Sequence, residues 1–530
     1  MKVLVSRHEA RPEARTFLRE RAPRNKNEGE LADVPESRVR LKRLYQRAKA
    51  EGFDADVLRV LLPDDHPDAV APPIKEGRRC RALSRFMIQH WDKMCQQGVV
   101  EEGEEYEDAM ALFTLIKKSG KLRLIQNCKP LNQRTARAPE MGLPTLREYK
   151  RHVLRAKFVG VCDAKAWFYQ IAMPKRLRRH FGVRVTGGRG SIKNGRLAVI
   201  PMGWSWSPAL AQKVASFLVR PVQYDEAAEL GVPNWGERPL GVVWLDNFAI
   251  TGESSEEYEI HRAVFQRRLK EFNVVVDNPE LEPQTDAVLL GMEVKLREKI
   301  VRLAETKELA VQRKMKIREF YELMGNLIWG ATVHEVPLCT YPHAMQAMGK
   351  AAKRIRPQDP SSWEETLQLD SSAVMELQKW IDNYQENEWR GLPMEHDIEP
   401  TCEAWSDASD QVGAAFVHRG ERVLWHTIEN LDPKQHIFLK EMKMAVEAIM
   451  YAHVFGEVPH VYVDNMPVVN ALKRRVSTNF VANTIMCNVA RTPYRVSWVG
   501  TKEQLADPFT RGAAFPRDPT FTSITKMSAP

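Results

Sequence analysis

Two runs, Phe158-Val-Gly-Val-Cys-Asp163 and Gly241-Val-Val-Trp-Leu-Asp246, decide how this chain is read. Each is a short apolar, β-branched stretch closed by an aspartate, the pattern of a buried strand whose last residue reaches solvent. An aspartate in that place also serves simply to open a turn. If the two strands pair, however, two carboxylates meet. Phosphoryl transfer by two divalent ions about 4 Å apart needs that meeting, because Mg²⁺ takes hard oxygen ligands.

Outward from these runs the pattern is consistent. Between residues 80 and 300 further strand-like runs (LFTLI, KLRLI, LAVIPM, AVLLGMEV) alternate with helical stretches. Residues 313–353 predict two helices around Val336-Pro337, and the polar run RPQDPSSWEETLQLDSS predicts a connection. After residue 400 the order becomes three β runs, the helix FLKEMKMAVEAIMYAHV, and the β run HVYVDN. A second set of acids falls on these elements. Asp407 ends CEAWSD, Glu441 lies near the start of the amphipathic helix, Asp464 ends HVYVD, and Asp507 sits in Gln504-Leu-Ala-Asp-Pro-Phe-Thr-Arg. Taken singly, each is equally a cap or a surface residue, and Glu441 suits the positive end of its helix.

The bulk properties narrow the class. A chain of 530 residues is too long for one core and predicts several domains. Seven cysteines stand singly at 80, 95, 128, 162, 339, 402 and 487, with no CxxC pair, which argues against a disulfide framework or a zinc site and for a reducing compartment. There is no apolar run long enough to span a bilayer, and MKVLVSRHEARPEARTF lacks the apolar stretch of a secretory signal. The expected location is therefore intracellular, cytoplasmic or nuclear, without a membrane partner. A formal charge of +9 favours an anionic partner such as nucleic acid.

The motifs resemble the reverse transcriptases of retroelements, in that family's order. Asp163-Ala-Lys-Ala-Trp-Phe-Tyr-Gln-Ile resembles the first palm motif, and Ile200-Pro-Met-Gly-Trp-Ser-Trp-Ser-Pro-Ala-Leu-Ala-Gln the second. Trp244-Leu-Asp-Asn stands where the family has aromatic-x-Asp-Asp, Leu289-Leu-Gly-Met-Glu-Val resembles the primer-grip hairpin, and Ile116-Lys-Lys-Ser-Gly-Lys-Leu-Arg-Leu-Ile the fingers strand pair. The four later acids resemble the catalytic set of RNase H, with the Asp507 stretch like its closing motif. The stretch MELQKWIDNYQENEW looks most like DIRS-type elements and trypanosomatid relatives such as VIPER.

The resemblance implies an α+β multidomain chain, a right-hand polymerase of fingers, palm and thumb followed by an RNase H-like α/β domain. The expected division is 1–79 N-terminal extension, 80–300 fingers and palm, 301–355 thumb, 356–400 connection, 401–513 RNase H-like domain and 514–530 tail. It implies RNA- and DNA-directed DNA synthesis with cleavage of RNA in hybrids, two Mg²⁺ or Mn²⁺ ions per site, and an RNA template, a DNA primer, an RNA–DNA hybrid and dNTPs as partners. Asp163 and Asp246 would hold one metal pair, and Asp407, Glu441, Asp464 and Asp507 the other. Lys117 or Lys118, with Arg123, would neutralise the triphosphate. Phe168 would lie beneath the sugar and exclude a 2′-hydroxyl, or be a core ring. Gly203 would allow close backbone approach at the nascent base pair. Trp204 and Trp206 would stack on template or simply pack. The basic residues Lys314, Lys316, Arg318, Lys350, Lys353 and Arg354 would grip duplex or form a solvated face.

Two departures stand out. Asn247 replaces the family's second aspartate, as in negative-strand RNA virus polymerases, and VVVDNPELEPQ lacks the lysine that serves the leaving pyrophosphate. They open a competing reading, a polymerase-inactive derivative that acts as a nucleic-acid-binding scaffold or as an RNase H alone.

Overall fold

In the computed structural model the run Phe158–Asp163 is a strand, and the strand it pairs with begins at Asn247. The structure describes residues 29–85, 87–117, 119–187, 191–232, 237–356, 358–388 and 398–528. Lys118 and Trp389 lie outside the described residues. The chain divides into two compact units, with the boundary between Ile300 and Val301.

The first unit holds strands β1 (Ser84–Arg85), β2 (Val100–Glu102), β3 (Leu112–Ile116), β4 (Leu122–Gln126), β5 (Phe158–Asp163), β6 (Gly182–Thr186), β7 (Lys193–Leu197), β8 (Gly241–Trp244), β9 (Asn247–Gly252), β10 (Asp286–Leu289) and β11 (Met292–Lys295). β5, β9 and β8 form an antiparallel sheet in that spatial order. β3 and β4 make a separate hairpin, and β1, β6, β7 and β2 a four-stranded sheet. The run LAVIPM is only partly a strand: β7 stops at Leu197, and Val199 makes a single bridge to Ala172 before Pro201, which has no N–H to continue a ladder.

Helices Ser207–Leu218 and Ser255–Phe272 pack against the β5–β9–β8 sheet. The second is capped by Ser254, whose hydroxyl accepts from Glu257 N at 3.1 Å, and ends at Asn273 in the left-handed conformation. Between sheet and helix, Phe248 meets Trp167 edge-on and Phe265 at 5.2 Å. One core runs from Leu31 through Leu281, so residues 31–62, expected from sequence to be part of an N-terminal extension, contribute to this unit's interior. Among the described residues its most buried ion pair is Arg268 with Glu226, joined at 2.8 and 2.5 Å; the guanidinium also donates to the carbonyls of Leu218, Arg220 and Pro221. That set of acceptors offsets the desolvation of a buried charge.

The second unit begins in β12 (Ile300–Leu303). β13 (Lys314–Lys316) pairs with β14 (Thr366–Gln368), so the polar run read as a connection closes a small sheet. Helices Ile317–His334 and Pro342–Arg354 flank the Val336-Pro337 break, and Ser371–Glu386 follows. A five-stranded sheet is then built from β15 (Cys402–Ala408), β16 (Gly413–Arg419), β17 (Arg422–Ile428), β18 (Pro459–Val463) and β19 (Arg495–Trp498), in the order β17-β16-β15-β18-β19. The first three are antiparallel, and β15–β18 and β18–β19 parallel. Helix Ile437–Val454 buries Met442, Ala445, Val446 and Ile449 against it. The C-terminal residues belong to the unit as well: Phe515 stacks on Phe509 at 3.7 Å, and Ile524 is fully buried.

Candidate active sites

The first site is built on a two-residue turn. Trp244 pairs with Asn247, which leaves Leu245 and Asp246 to reverse the chain. Leu245 has φ 56°, a strained conformation for a branched side chain, of the kind held only where surrounding structure enforces it. Gln212 supplies the restraint from helix Ser207–Leu218. Its buried amide accepts from Leu245 N at 2.7 Å and donates to Val243 O at 3.2 Å. The Asp246 carbonyl accepts from Ala164 N at 2.8 Å, which ties the turn to the residue after Asp163. Asp163 itself pairs with Asn247 across β5 and β9.

The two acids are therefore neighbours, and their electrostatics show it. Burial first, and then the charges of Asp246 and Asp277, together raise Asp163 to about 6. Burial raises Asp246 as well, against the opposing pull of its own backbone N–H, Arg123, Asn247 and Lys117. Asn247 donates its amide to Asp246 Oδ1 at 3.1 Å. Carboxylates that repel one another at strand ends match the donor chemistry of a hard divalent cation.

The second site brings three acids together. β15 and β18 are parallel with Trp405 opposite Tyr462, so Asp407 and Asp464, each two residues on, emerge at the same sheet end. Glu441 reaches them from the helix. Among the described residues, Asp407, Glu441 and Asp464 each offer an oxygen, and these lie within 4.8 Å of one another. Burial and then the neighbouring acids raise Glu441 to about 9, and its Oε2 is buried with no hydrogen-bond partner. Asp407 rises to about 6, again chiefly by burial, although Thr510 donates to its Oδ2 at 2.7 Å. An orphaned buried carboxylate oxygen beside two further acids fits a metal ion. Asp507 is placed differently, paired with Arg511 at 2.7 Å. It raises Asp407 and Glu441 through space but is outside the group of three.

No protein-family model matches this chain. Curated relatives do, at low identity. The Pol polyprotein of Ovine maedi visna related virus (strain South Africa) is 22% identical over 461 residues, 82% of this chain and 38% of the polyprotein. The Gag-Pro-Pol polyprotein of Simian retrovirus SRV-2 is 24% identical over 225 residues, 41% of this chain and 12% of that one. This chain thus spans well under half the length of these relatives. Among solved structures, the foamy viral protease-reverse transcriptase in complex with dsDNA has a TM-score of 0.47 at 14% identity, covering 94% of this chain and 99% of that chain. Its complex with an RNA/DNA hybrid gives 0.45 at 13%, covering 94% and 64%. This chain is similar to retroviral Pol polyproteins.

The remaining candidates fall where local structure dictates. Lys117 and Arg123 are exposed on the β3–β4 hairpin and act electrostatically on Asp246. Phe168 is half-buried in the turn Trp167–Gln170, which follows Ala166 at φ 48°. Gly203 has φ 130°, and a Cβ there would lie 2.1 Å from the Gln126 carbonyl, so its glycine serves the approach of this loop to β4. Trp204 is a core residue, packed edge-on against Phe181 and 1% exposed, whereas Trp206 is half-buried, stacks on Trp204 and donates to Ala136 O at 2.9 Å. Of the basic residues after 313, Lys316 and Arg318 pair with Glu364, Arg354 with Glu365, and Lys350 with Asp370 at 3.9 Å. Those pairs fit the solvated-face reading. Three residues went unread in the sequence: Gln212, Asp277 and Gln170, whose amide clamps Lys165 O and both polar groups of Val275. Gln212 ends the quoted second motif and was legible there; Asp277 carries no local signal.

Proposed function

We propose that this chain is an RNA- and DNA-directed DNA polymerase that also cleaves RNA in RNA–DNA hybrids, as part of a retroelement or retroviral replication protein. The observation that carries the reading is the presence of two separate acid sets, one in each unit, the first from a strand end and a turn and the second from two strand ends and a helix, each drawn from residues far apart in sequence. Asp163 and Asp246 would hold the metals of synthesis, and Asp407, Glu441 and Asp464 those of cleavage. Mg²⁺ or Mn²⁺ bound there would screen the phosphate charge and activate the attacking oxygen. Lys117 or Lys118, with Arg123, would meet the triphosphate and Phe168 the sugar, while Gln212 fixes the turn that carries Asp246. In the second unit Thr510 orients Asp407, while Arg511 holds Asp507 beside the cluster and tempers its charge.

In this reading residues 80–300 are fingers and palm, 301–355 thumb, 356–400 connection and 401–513 the ribonuclease domain; the subfamily is DIRS-like or VIPER-like. Template RNA, primer DNA, hybrid and dNTPs are the partners. Among the described residues no helix is long and apolar enough to cross a membrane. Asn247 supports a second reading, in which cleavage alone survives. Separation of function tests both: Asp163→Asn abolishes synthesis and spares hybrid cleavage, and Asp464→Asn does the reverse. If either variant kept both activities, the site assignment would fail.

A further inference from the structure

We infer that Asp277 supplies the first site with the negative charge that Asn247 lacks, and that it also positions Asp163. The inference rests on the polymerase reading of this site. Asp163 lies between two partners. On one side its strand pairs with β9, where the residue opposite is the neutral Asn247. On the other side runs the segment 274–277, which bridges Ala164 through Val276 and accepts Lys165 N at Val275 O, 3.0 Å. At the end of that segment Asp277 N donates to Asp163 O at 2.9 Å, and Asp163 N donates to Asp277 Oδ1 at 2.7 Å. Asn278, the next residue, donates its side-chain amide to Val161 O at 3.1 Å, so the segment is fastened to β5 on both sides of Asp277.

Two consequences follow from this geometry. The paired hydrogen bonds fix the backbone of Asp163, which an asparagine at position 277 would do equally well through its own Oδ1. Charge is a separate matter: Asp277 is exposed, its Oδ1 accepts the Asp163 backbone N–H, and its charge acts on the Asp163 carboxyl. A divalent pair needs enough negative charge nearby to compete with water, and groups that orient a ligating carboxylate alter metal affinity by about tenfold or more. With asparagine at 247, the first site has two aspartates on the turn and strand ends, and Asp277 makes a third acid beside them.

Charge transposition tests this in the full-length protein. In an Asp407→Asn/Asp464→Asn background, which removes the second metal site, Mn²⁺ binding is titrated by electron paramagnetic resonance, and circular dichroism checks the fold. Asp277→Asn keeps the hydrogen-bond acceptor and is expected to weaken Mn²⁺ roughly tenfold. Adding Asn247→Asp to Asp277→Asn moves the charge across Asp163 and is expected to restore most of that loss. Mn²⁺ affinity unchanged by Asp277→Asn, yet lowered by Asp277→Ala, would overturn the charge role and leave only a backbone anchor. Primer extension by the unsubstituted protein is run alongside. If it is absent while the Mn²⁺ pattern holds, the polymerase reading fails and the charge assignment stands.

Discussion

Replacing Glu441 with glutamine should make the metal-free protein more stable at neutral pH. Glu441 is buried at 5% exposure, one oxygen has no partner, and its pKa is raised from 4.5 to about 9. A carboxyl whose folded pKa lies above its unfolded value takes up a proton on folding. Its contribution is fully present below the unfolded value and is lost as pH rises through the folded one. Between 4.5 and about pH 7.5 that is some three units at about 1.4 kcal/mol each, or roughly 4 kcal/mol. Water entry and relaxation cut this to about 2–4 kcal/mol, which for a unit of this size is roughly 5–15 °C in midpoint. The assay is calorimetric unfolding in EDTA from about pH 5 to about pH 9. The unsubstituted protein should lose stability across that window, and Glu441→Gln should flatten the loss and raise the midpoint. Mn²⁺ should then stabilise the unsubstituted protein more than the variant. An equal or lower midpoint for Glu441→Gln in EDTA at neutral pH would refute the picture of a strained, metal-seeking acid.

Three further outcomes are expected. Arg268→Ala strips Glu226 of its two close guanidinium bonds, leaving Arg220 at 3.8 Å as its remaining cation, and should cost about 3 kcal/mol in denaturant unfolding; a loss under about 1 kcal/mol would show that the pair relaxes into solvent. Gln212→Leu removes the clamp on Leu245 and should lower kcat for synthesis by about tenfold or more with hybrid cleavage unchanged, since a positioned carboxylate tolerates little displacement; equal kcat would mean the turn holds itself. Phe168→Ala should raise ribonucleotide incorporation relative to deoxynucleotide, and unchanged sugar selectivity in single-nucleotide extension would leave Phe168 as a core ring.

The elements nearest the acids were the most legible in sequence. FVGVCD is a strand over its whole length, and the LD of GVVWLD is the turn that follows one, because local periodicity and a polar terminus specify both. Asp407 near the end of β15 and Asp464 just past β18 come to one sheet end for a related reason, since the two strands run parallel and a helix crosses between them. What escaped depended on distance along the chain. Asp277 meets Asp163 from more than a hundred residues away, and nothing around VVVDNP announces it. The strands β13 and β14 are only three residues long, and β13 is two lysines around a methionine, so their pairing has no periodic signature. Gly203 was legible as a special backbone position, but its partner, the Gln126 carbonyl, was not. Asp507 differs from its fellow acids in being held by Arg511, a pairing that the bare presence of both residues in one motif does not specify.

The most direct test of the account is extension of a DNA primer on an RNA template with dNTPs, in Mg²⁺ and in Mn²⁺, by the unsubstituted protein and by Asp163→Asn. Full-length DNA product from the first and none from the second is the predicted result, and it would mean that Asn247 is compatible with synthesis. No extension in either metal, from folded protein that still cleaves RNA in a hybrid, would contradict the polymerase assignment and leave a nuclease on a silent scaffold.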